Sequence, residues 1–142
     1  MFKKKLTAVA ITAALTVGSA FSAFASNLTG PFIYRDAALT SQMPSHAQQC
    51  ISKIITEDTG AGNSTNVYVY VKTVKYGFLK GRIKSITING ETAKVDKGTD
   101  RITFRNLNNS LIAANGGVKV SFELSILGHK GNIKNVYLDV NN

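Results

Sequence analysis

Short alternating runs of apolar and polar residues, separated by Gly and Asn, constrain the fold of this chain most strongly. The clearest run is SITINGETAKV, residues 85–95, in which Asn89-Gly90 separates two alternating segments. Asn-Gly is the preferred pair for a two-residue hairpin turn, because both residues tolerate positive φ. The turn predicts a register that places Ile86 and Ala93 on the inner face of the hairpin. The predicted register pairs are Ile88 with Glu91, Thr87 with Thr92, Ile86 with Ala93 and Ser85 with Lys94. The outer face is predicted to hold Ser85, Thr87, Thr92 and Lys94.

The same alternation predicts strands elsewhere, each with one apolar face. In residues 66–76 the valines at 67, 69 and 71 point one way, and Tyr68, Tyr70, Lys72, Val74 and Tyr76 point the other. The other predicted inward sets are Ile102 and Phe104; Val118, Val120, Phe122, Leu124 and Ile126; and Val136, Leu138 and Val140. One apolar face per strand is what two packed antiparallel sheets bury. We therefore expect an all-β antiparallel sandwich of about six to seven strands.

The N-terminus has the three-part pattern of a secretory signal peptide. Three lysines at positions 3–5 precede an apolar run over residues 6–17, and Ala23-Phe24-Ala25 forms an A-x-A-type cleavage site. Residues 1–25 are therefore predicted to be cleaved, and the protein to be secreted or associated with the cell envelope, periplasmic in a Gram-negative host. No second long apolar run follows, so no transmembrane segment is expected after cleavage.

The remaining 142 − 25 = 117 residues are enough for one domain. Residues 26–44 contain both prolines and show no clean period, which favours an extended leader segment before a single domain over residues 45–142. A helix is predicted over residues 45–56, because Ala47, Cys50, Ile51, Ile54 and Ile55 form one helical stripe. Ser45 and Gln48 have the spacing of a capping box. The β-branched run CISKIIT leaves a first strand as the alternative.

The second half of the chain resembles the bacterial Ig-like modules of exported and surface proteins. The resemblance covers residues 83–140 and rests on IKSITINGETAKV, DRITFRNL and VKVSFELSILGHKGNIKNVYLDV. These modules often have a strand ending in N-G, a short return strand, a Phe-bearing strand and two closing strands around a G-N turn. The resemblance implies an Ig-like β-sandwich that acts as a spacer, an adhesive domain or a carbohydrate-contacting module. It specifies no ligand.

A strongly basic segment, residues 66–90, is the candidate binding site. Without the three lysines of the signal peptide, the chain has 14 − 8 = +6 charges, which favours polyanionic surroundings. Tyrosines that stack on sugar rings and cations that meet phosphate or carboxylate would suit an anionic cell-wall or envelope polymer. The predicted site residues are Tyr68, Tyr70, Lys72, Lys75, Tyr76, Lys80, Arg82 and Lys84. The alternative is that these residues only keep a sheet soluble and guard its edges.

Nucleic acid is an unlikely partner, since an exported protein rarely meets it. A secreted cationic effector, antimicrobial or toxin-like, that acts on other cells is the alternative function. No oligomeric state follows from the sequence, and Cys50, which as the only cysteine has no intramolecular disulfide partner, leaves an intermolecular disulfide open.

Two sequence features resemble catalytic groups, but each has a simpler interpretation. Asp58-Thr59-Gly60-Ala61 is the tetrapeptide of aspartic proteases, but Glu57 beside it would oppose the burial that such a site needs, so an Asx turn is expected. His46 and Cys50 are four residues apart, but Cys50 also belongs to the apolar stripe and is expected to be an inert thiol. Neither a metal-ligand motif nor a phosphate-binding glycine loop is present, so we expect a non-catalytic protein without a cofactor or metal.

Overall fold

The computed structural model describes residues 25–76 and 79–141. The predicted signal peptide therefore lies outside the described residues, apart from Ala25. The described chain contains ten β-strands, one α-helical turn, α1 (Ser45–Gln48), and a 3-10 turn at Asn109–Leu111. The strands are β1 (Ala25–Leu28), β2 (Ile33–Tyr34), β3 (Ile51–Asp58), β4 (Ser64–Val71), β5 (Val74–Tyr76), β6 (Leu79–Ile88), β7 (Glu91–Lys94), β8 (Arg101–Asn108), β9 (Gly117–Ile126) and β10 (His129–Asp139).

The strands form two sheets in which every pairing is antiparallel. Sheet 1 has the order β1-β3-β4-β8, and sheet 2 has the order β2-β10-β9-β6-β5. Strand β7 also pairs with β6, beyond the segment that β5 occupies. The predicted all-β antiparallel architecture is confirmed. The strand number is higher than expected, because strands also form in segments predicted as leader and helix and because residues 66–76 divide into two strands.

One apolar core unites the two sheets. Sheet 1 contributes fully buried side chains such as Ile54, Val69 and Ile102, and sheet 2 contributes Ile86 and Leu138. Burying a side chain of this size stabilises the fold by roughly 1.5–3 kcal/mol relative to leaving it exposed. The inward faces predicted for β4, β8 and β10 are confirmed, since all of their named Val, Ile, Phe and Leu residues are buried.

The β6–β7 hairpin has the register that its Asn-Gly turn predicts. All four expected pairs are present, and Asn89 and Gly90 have φ values of 50° and 83°. The Thr87 and Thr92 hydroxyls lie 2.7 Å apart on the outer face. Ser85 differs from the prediction, because it is only 3% exposed and its hydroxyl donates to Oε1 of Glu123 at 3.2 Å. A register shift between Ile83 and Ser85 interrupts the alternation and accounts for this burial.

The predicted helix over residues 45–56 is confined to the four residues of α1, and its second half is strand β3. The β-branched residues of CISKIIT favour the strand, which buries Ile51 and Ile54 while Ile55 is only half-buried. The expected capping box is absent, because Pro44 occupies the N-cap and no side chain caps the turn. The predicted helical stripe is therefore wrong. It combined Ala47 of a short helical turn with isoleucines of a strand that happened to have helical spacing.

Gln48 connects α1 to the segment predicted as an extended leader. Its Oε1 accepts hydrogen bonds from the backbone N–H groups of Phe32 and Ile33, at 2.8 and 2.9 Å. Its Nε2 donates to the carbonyl oxygens of Ile33 and Met43, at 2.7 and 3.1 Å. Residues 26–44 thus supply β2 to sheet 2, where Ile33 pairs with Leu138, and most of β1 to sheet 1.

The predicted strand over residues 66–76 changes sheets after Val71. Strand β4 belongs to sheet 1, and β5, which begins three residues later, belongs to sheet 2. At the break the N–H of Val71 donates to the carbonyl of Asp100 and the N–H of Lys72 donates to that of Cys50. In one continuous strand Val71 and Val74 would face opposite sides. The two-residue crossing allows Val71 to be buried and Val74 to be half-buried.

Candidate functional site

The outer face of sheet 1 brings together two tyrosines and three cations, which we call the Tyr–Arg face (Lys53, Tyr68, Tyr70, Arg101 and Arg105). Lys53, Tyr70 and Arg101 are register partners across β3, β4 and β8. Adjacent strands are about 4.8 Å apart, so these three residues form a row across the sheet. Val67, Val69 and Val71, which alternate with the tyrosines, are buried on the opposite side of β4. The alternation of β4 therefore determines which way the rings point.

The cations of this face lie against the aromatic rings. Nζ of Lys53 is 4.6 Å from the centroid of the Tyr70 ring, and Cζ of Arg105 is 5.7 Å from that of Tyr68. Arg101 lies between the two rings, with Cζ 5.0 Å from the Tyr68 centroid and 6.0 Å from the Tyr70 centroid. Each such contact at an exposed site contributes roughly 0.5–1 kcal/mol. The rings thus hold the positive charges close to the plane of the sheet.

Hydrogen bonds add to this arrangement. Nη1 of Arg105 donates to the Tyr68 hydroxyl at 3.3 Å, and Nη1 of Arg101 donates to that of Tyr70 at 3.5 Å. The Tyr68 hydroxyl donates in turn to Oε1 of Glu57 at 3.2 Å, and Nδ2 of Asn66 donates to the same oxygen at 3.0 Å. Neither arginine forms a salt bridge with another described residue. The nearby carboxylate is therefore held by neutral donors, and the guanidinium charges are not cancelled by direct pairing.

Arg101 is the most constrained cation of the face. Its hydrogen bond to Tyr70 raises the pKa of the Arg101 guanidinium above its ordinary value, so the group stays charged at any accessible pH. Its Nε is buried without a hydrogen-bond acceptor among the described residues. The face of the Tyr68 ring is a weak acceptor at short range. Arg101 is therefore a positive group held between two rings, and its Nε–H has no strong hydrogen-bond acceptor among the described residues.

A second basic surface, the lysine cleft, lies on sheet 2 and the β7–β8 turn. Its cations are Arg82 and Lys84 on β6, Lys94 on β7 and Lys97 in the turn, and the acids Asp100 and Glu123 also line it. The cleft has a volume of about 490 Å³. Nη2 of Arg82 forms a salt bridge with Oδ1 of Asp100 at 3.2 Å. The three lysines are exposed and form no salt bridge with another described residue.

The eight predicted site residues do not form one surface. Tyr68 and Tyr70 lie on the Tyr–Arg face, and Arg82 and Lys84 line the lysine cleft. Lys72 lies in the crossing between the sheets, and Lys75 pairs with Lys80 in the β5–β6 hairpin. Tyr76 ends β5, opposite Leu79. The expected single patch is divided because the chain leaves sheet 1 after Val71.

Three residues of the Tyr–Arg face were not among the predicted site residues. Arg101 and Arg105 alternate with the inward Ile102 and Phe104, so the sequence does place them outward, but it does not place β8 beside β4. Lys53 was concealed by the helical interpretation of residues 45–56. Strand pairing between residues more than 30 positions apart supplies the missing information.

The two features that resembled catalytic groups have plain structural roles. Oδ1 of Asp58 accepts a hydrogen bond from the N–H of Gly60 at 2.6 Å, which is the predicted Asx turn. Sγ of Cys50 donates to the backbone carbonyl of His46 at 3.8 Å. Burial raises the pKa of the Cys50 thiol above its ordinary value, which favours the unreactive protonated form.

The described residues contain no cluster of three or more His, Cys, Asp or Glu side chains suited to a metal ion. In the described part of the chain, no helix has the length and hydropathy that a bilayer-spanning helix needs.

Comparison with protein-family models, curated proteins and solved structures finds no match to this chain.

Proposed function

We propose that this protein is an exported, non-catalytic binding module that holds an anionic polysaccharide or envelope polymer on its Tyr–Arg face. The Tyr68 and Tyr70 rings offer apolar surfaces for sugar rings, and Lys53, Arg101 and Arg105 offer donors for carboxylate, sulfate or phosphate groups. Tyr68 and Tyr70 belong to both this face and the site predicted from the sequence. The cations of the face are Lys53, Arg101 and Arg105 and not the lysines of the predicted site.

One observation carries the proposal. Three cations lie within 4.6–6.0 Å of two ring centroids on one sheet face, and none of the three forms a salt bridge with another described residue. Solubility alone requires charges at the surface and does not require contacts between cations and rings. Ordered side chains lose less conformational entropy when a ligand arrives, which favours binding over mere solubility.

The test is binding of the protein to three soluble polymers at low and high salt. Dextran sulfate carries sugar rings and anions, polyglutamate carries anions alone, and dextran carries sugar rings alone. We expect dextran sulfate to bind best, polyglutamate more weakly and dextran weakest. Binding should fall as salt rises, because each cation–anion contact releases a counterion.

The decisive variant is the triple substitution Lys53→Gln, Arg101→Gln and Arg105→Gln. Its matched control is Lys119→Gln, Lys130→Gln and Lys134→Gln, which removes the same charge from strands β9 and β10 of sheet 2. We expect the first variant to lose dextran sulfate binding and most of the salt dependence, and the control to keep both. Equal losses in the two variants would mean that only net charge matters, and the proposed site would be wrong.

A further inference from the structure

An apolar cavity beside α1 is distinct from the Tyr–Arg face. It has a volume of about 390 Å³, and core residues Ile33, Ile83 and Phe122 are among its lining. Met43, Cys50 and Ile133, which are half-buried, line it as well. An apolar cavity of about 150 Å³ already accepts a benzene-sized molecule and stays free of water. This cavity has roughly 2.5 times that volume and therefore has room for a hydrocarbon chain.

The cavity continues the apolar stripe of β9 beyond the core. The sequence predicts Leu124 and Ile126 on the same inward face as Phe122, but Leu124 is only half-buried and Ile126 is 42% exposed. Both line the cavity, together with Leu79, which is 41% exposed. Leu127 follows and is 57% exposed. Leu79 and Ile126 thus give the cavity an exposed apolar mouth, and exposed apolar groups gathered in one place commonly indicate a binding site.

The charged side chains that line the cavity are two arginines. Arg35, His46 and Arg82 belong to its lining, and no Asp or Glu does. Arg82 is bound by Asp100 through Nη2, but its Nε is buried without a hydrogen-bond acceptor among the described residues. An anionic head group would meet two guanidinium groups here and no carboxylate of the lining. A cationic head group would be repelled by Arg35, which forms no salt bridge with another described residue, and by the part of the Arg82 charge that Asp100 does not balance.

From this geometry we infer that the cavity binds the hydrocarbon chain of an anionic amphiphile, with Arg35 and Arg82 serving the head group. The ligand class is a medium-length chain that ends in a carboxylate or phosphate, either free or as part of a lipid. The inference is independent of the Tyr–Arg face, because none of the five residues of that face lines the cavity.

The first experiment measures binding of saturated carboxylates of 8, 10, 12 and 14 carbons below their micellar concentrations. We expect affinity to rise roughly tenfold for every two methylenes until the chain fills the cavity, and then to level off. Dodecylammonium, with the same chain and the opposite charge, should bind at least about tenfold more weakly than dodecanoate. Arg35→Gln together with Arg82→Gln should remove this preference while leaving the chain-length dependence.

Cys50 provides an internal reporter, because it is the only cysteine of the chain and lines the cavity. Saturating dodecanoate should slow alkylation of the Cys50 thiol by about tenfold, measured at one fixed alkaline pH because burial raises the pKa of this thiol. Dodecylammonium at the same concentration should protect it less. Alkylation of the denatured chain, which should be insensitive to either compound, is the control.

Two substitutions should fill the cavity without breaking the fold. We expect Gly81→Leu to fold, because a Cβ there would lie 3.5 Å from Cγ1 of Ile126, an ordinary contact distance, and the rest of the side chain would extend into the cavity that Gly81 lines. Its matched control is Gly98→Leu, where a Cβ would meet nothing within 4 Å. Ala47→Phe, with exposed Ala61→Phe as its control, is the second pair. We expect the filling variants to lose dodecanoate binding and thiol protection and the controls to keep them, with thermal unfolding verifying that each variant is folded.

Vesicles of phosphatidylglycerol distinguish the two sources of the chain. Binding of both vesicles and monomeric dodecanoate, with each lost in Gly81→Leu, would indicate a lipid-borne chain. Binding of dodecanoate alone would indicate a free acid. The inference is overturned if folded filling variants bind dodecanoate as tightly as the parent protein, or if dodecylammonium binds as well as dodecanoate. It is also overturned if only vesicles bind. That result would mean that the exposed Leu79, Ile126 and Leu127 contact a membrane instead.

Discussion

The Tyr–Arg face and the lysine cleft carry the same net charge but hold it differently. The face has three cations and Glu57, and the cleft has four cations with Asp100 and Glu123, so the sums are 3 − 1 = +2 and 4 − 2 = +2. On the face every cation contacts a ring, whereas in the cleft one of the four is bound to an acid and the three lysines are unconstrained by salt bridges. The face therefore holds its cations against rings, whereas the three lysines of the cleft are exposed and are held by no salt bridge to another described residue.

A count of basic residues is therefore a poor guide to a binding site, because two surfaces with equal net charge can hold their cations differently. A lysine that meets a ligand from a mobile state loses up to about 2 kcal/mol of side-chain entropy. An arginine already held against a ring loses less, and its planar donor fork also fits a bidentate anion. We therefore expect the face to bind polyanions more tightly and more selectively than the cleft.

The largest effects should come from the shared core. Ile102 lies under the face and Ile86 under the hairpin of the cleft, and both are 0% exposed. Ile102→Ala and Ile86→Ala should each destabilise the protein by about 2–5 kcal/mol, because each leaves a cavity. Urea denaturation followed by circular dichroism and tyrosine fluorescence checks this. Two separate unfolding transitions would contradict a single shared core. The Tyr–Arg face and the lysine cleft would then belong to units that unfold independently.

The next effect concerns binding. The cleft variant Lys84→Gln, Lys94→Gln and Lys97→Gln removes as many charges as the triple substitution on the face. We expect the face variant to weaken dextran sulfate binding by about tenfold to a hundredfold, equal to about 1.4–2.7 kcal/mol, and the cleft variant by only a few-fold. Isothermal titration at fixed salt measures both. A cleft variant that loses more than the face variant would reverse the comparison.

A smaller effect is expected at the hairpin turn that positions Lys94. Gly90 has φ of 83°, and a Cβ there would contact nothing within 4 Å. Gly90→Ala should therefore cost about 1 kcal/mol through backbone strain alone. Chemical denaturation measures it, with Gly98→Ala as the control at a glycine that lies in open space and has no left-handed φ. Binding to the face should be unchanged, and a loss there would show that the two surfaces are coupled.

The smallest change in stability is expected for Asp100→Asn. The Arg82–Asp100 salt bridge is partly exposed, with side-chain exposures of 32% and 62%, so its loss should cost no more than about 1 kcal/mol. The same substitution frees Arg82 for a ligand and should raise the polyanion affinity of the cleft a few-fold. Unchanged affinity, measured in the background of the face variant, would mean that Arg82 does not take part in attracting the polymer.

Local signals in the sequence were sufficient for elements whose two faces differ. The Asn89-Gly90 turn gave the full register of the β6–β7 hairpin, and alternation gave the buried sides of β4, β8 and β10. These predictions succeeded because a one-residue slip would move every apolar side chain of a strand to the wrong face. The β9 prediction succeeded only as far as Phe122.

The remaining features depend on contacts between distant parts of the chain. No local pattern indicates that the chain crosses between sheets at Lys72, so a continuous alternation suggested one patch where there are two. The pairing of β4 with β8 brings Arg101 to Tyr70 over 31 positions, a relation that one sequence does not contain. For the same reason Tyr68 and Tyr70 could be predicted from the sequence, but the cations that surround them could not.

The Gln48 amide supplements the pairings of β1 and β2 in holding residues 26–44, and it is a group that can hydrolyse slowly. Hydrolysis of that amide replaces one nitrogen by oxygen and turns Gln48 into a glutamate. The two donor bonds to the carbonyls of Ile33 and Met43 would then become contacts between oxygen atoms, while the bonds from Phe32 and Ile33 remain. Deamidation of Gln48 would therefore weaken the attachment of β2, which its pairing with β10 would still hold, and would disturb the cavity that Ile33 and Met43 help to line.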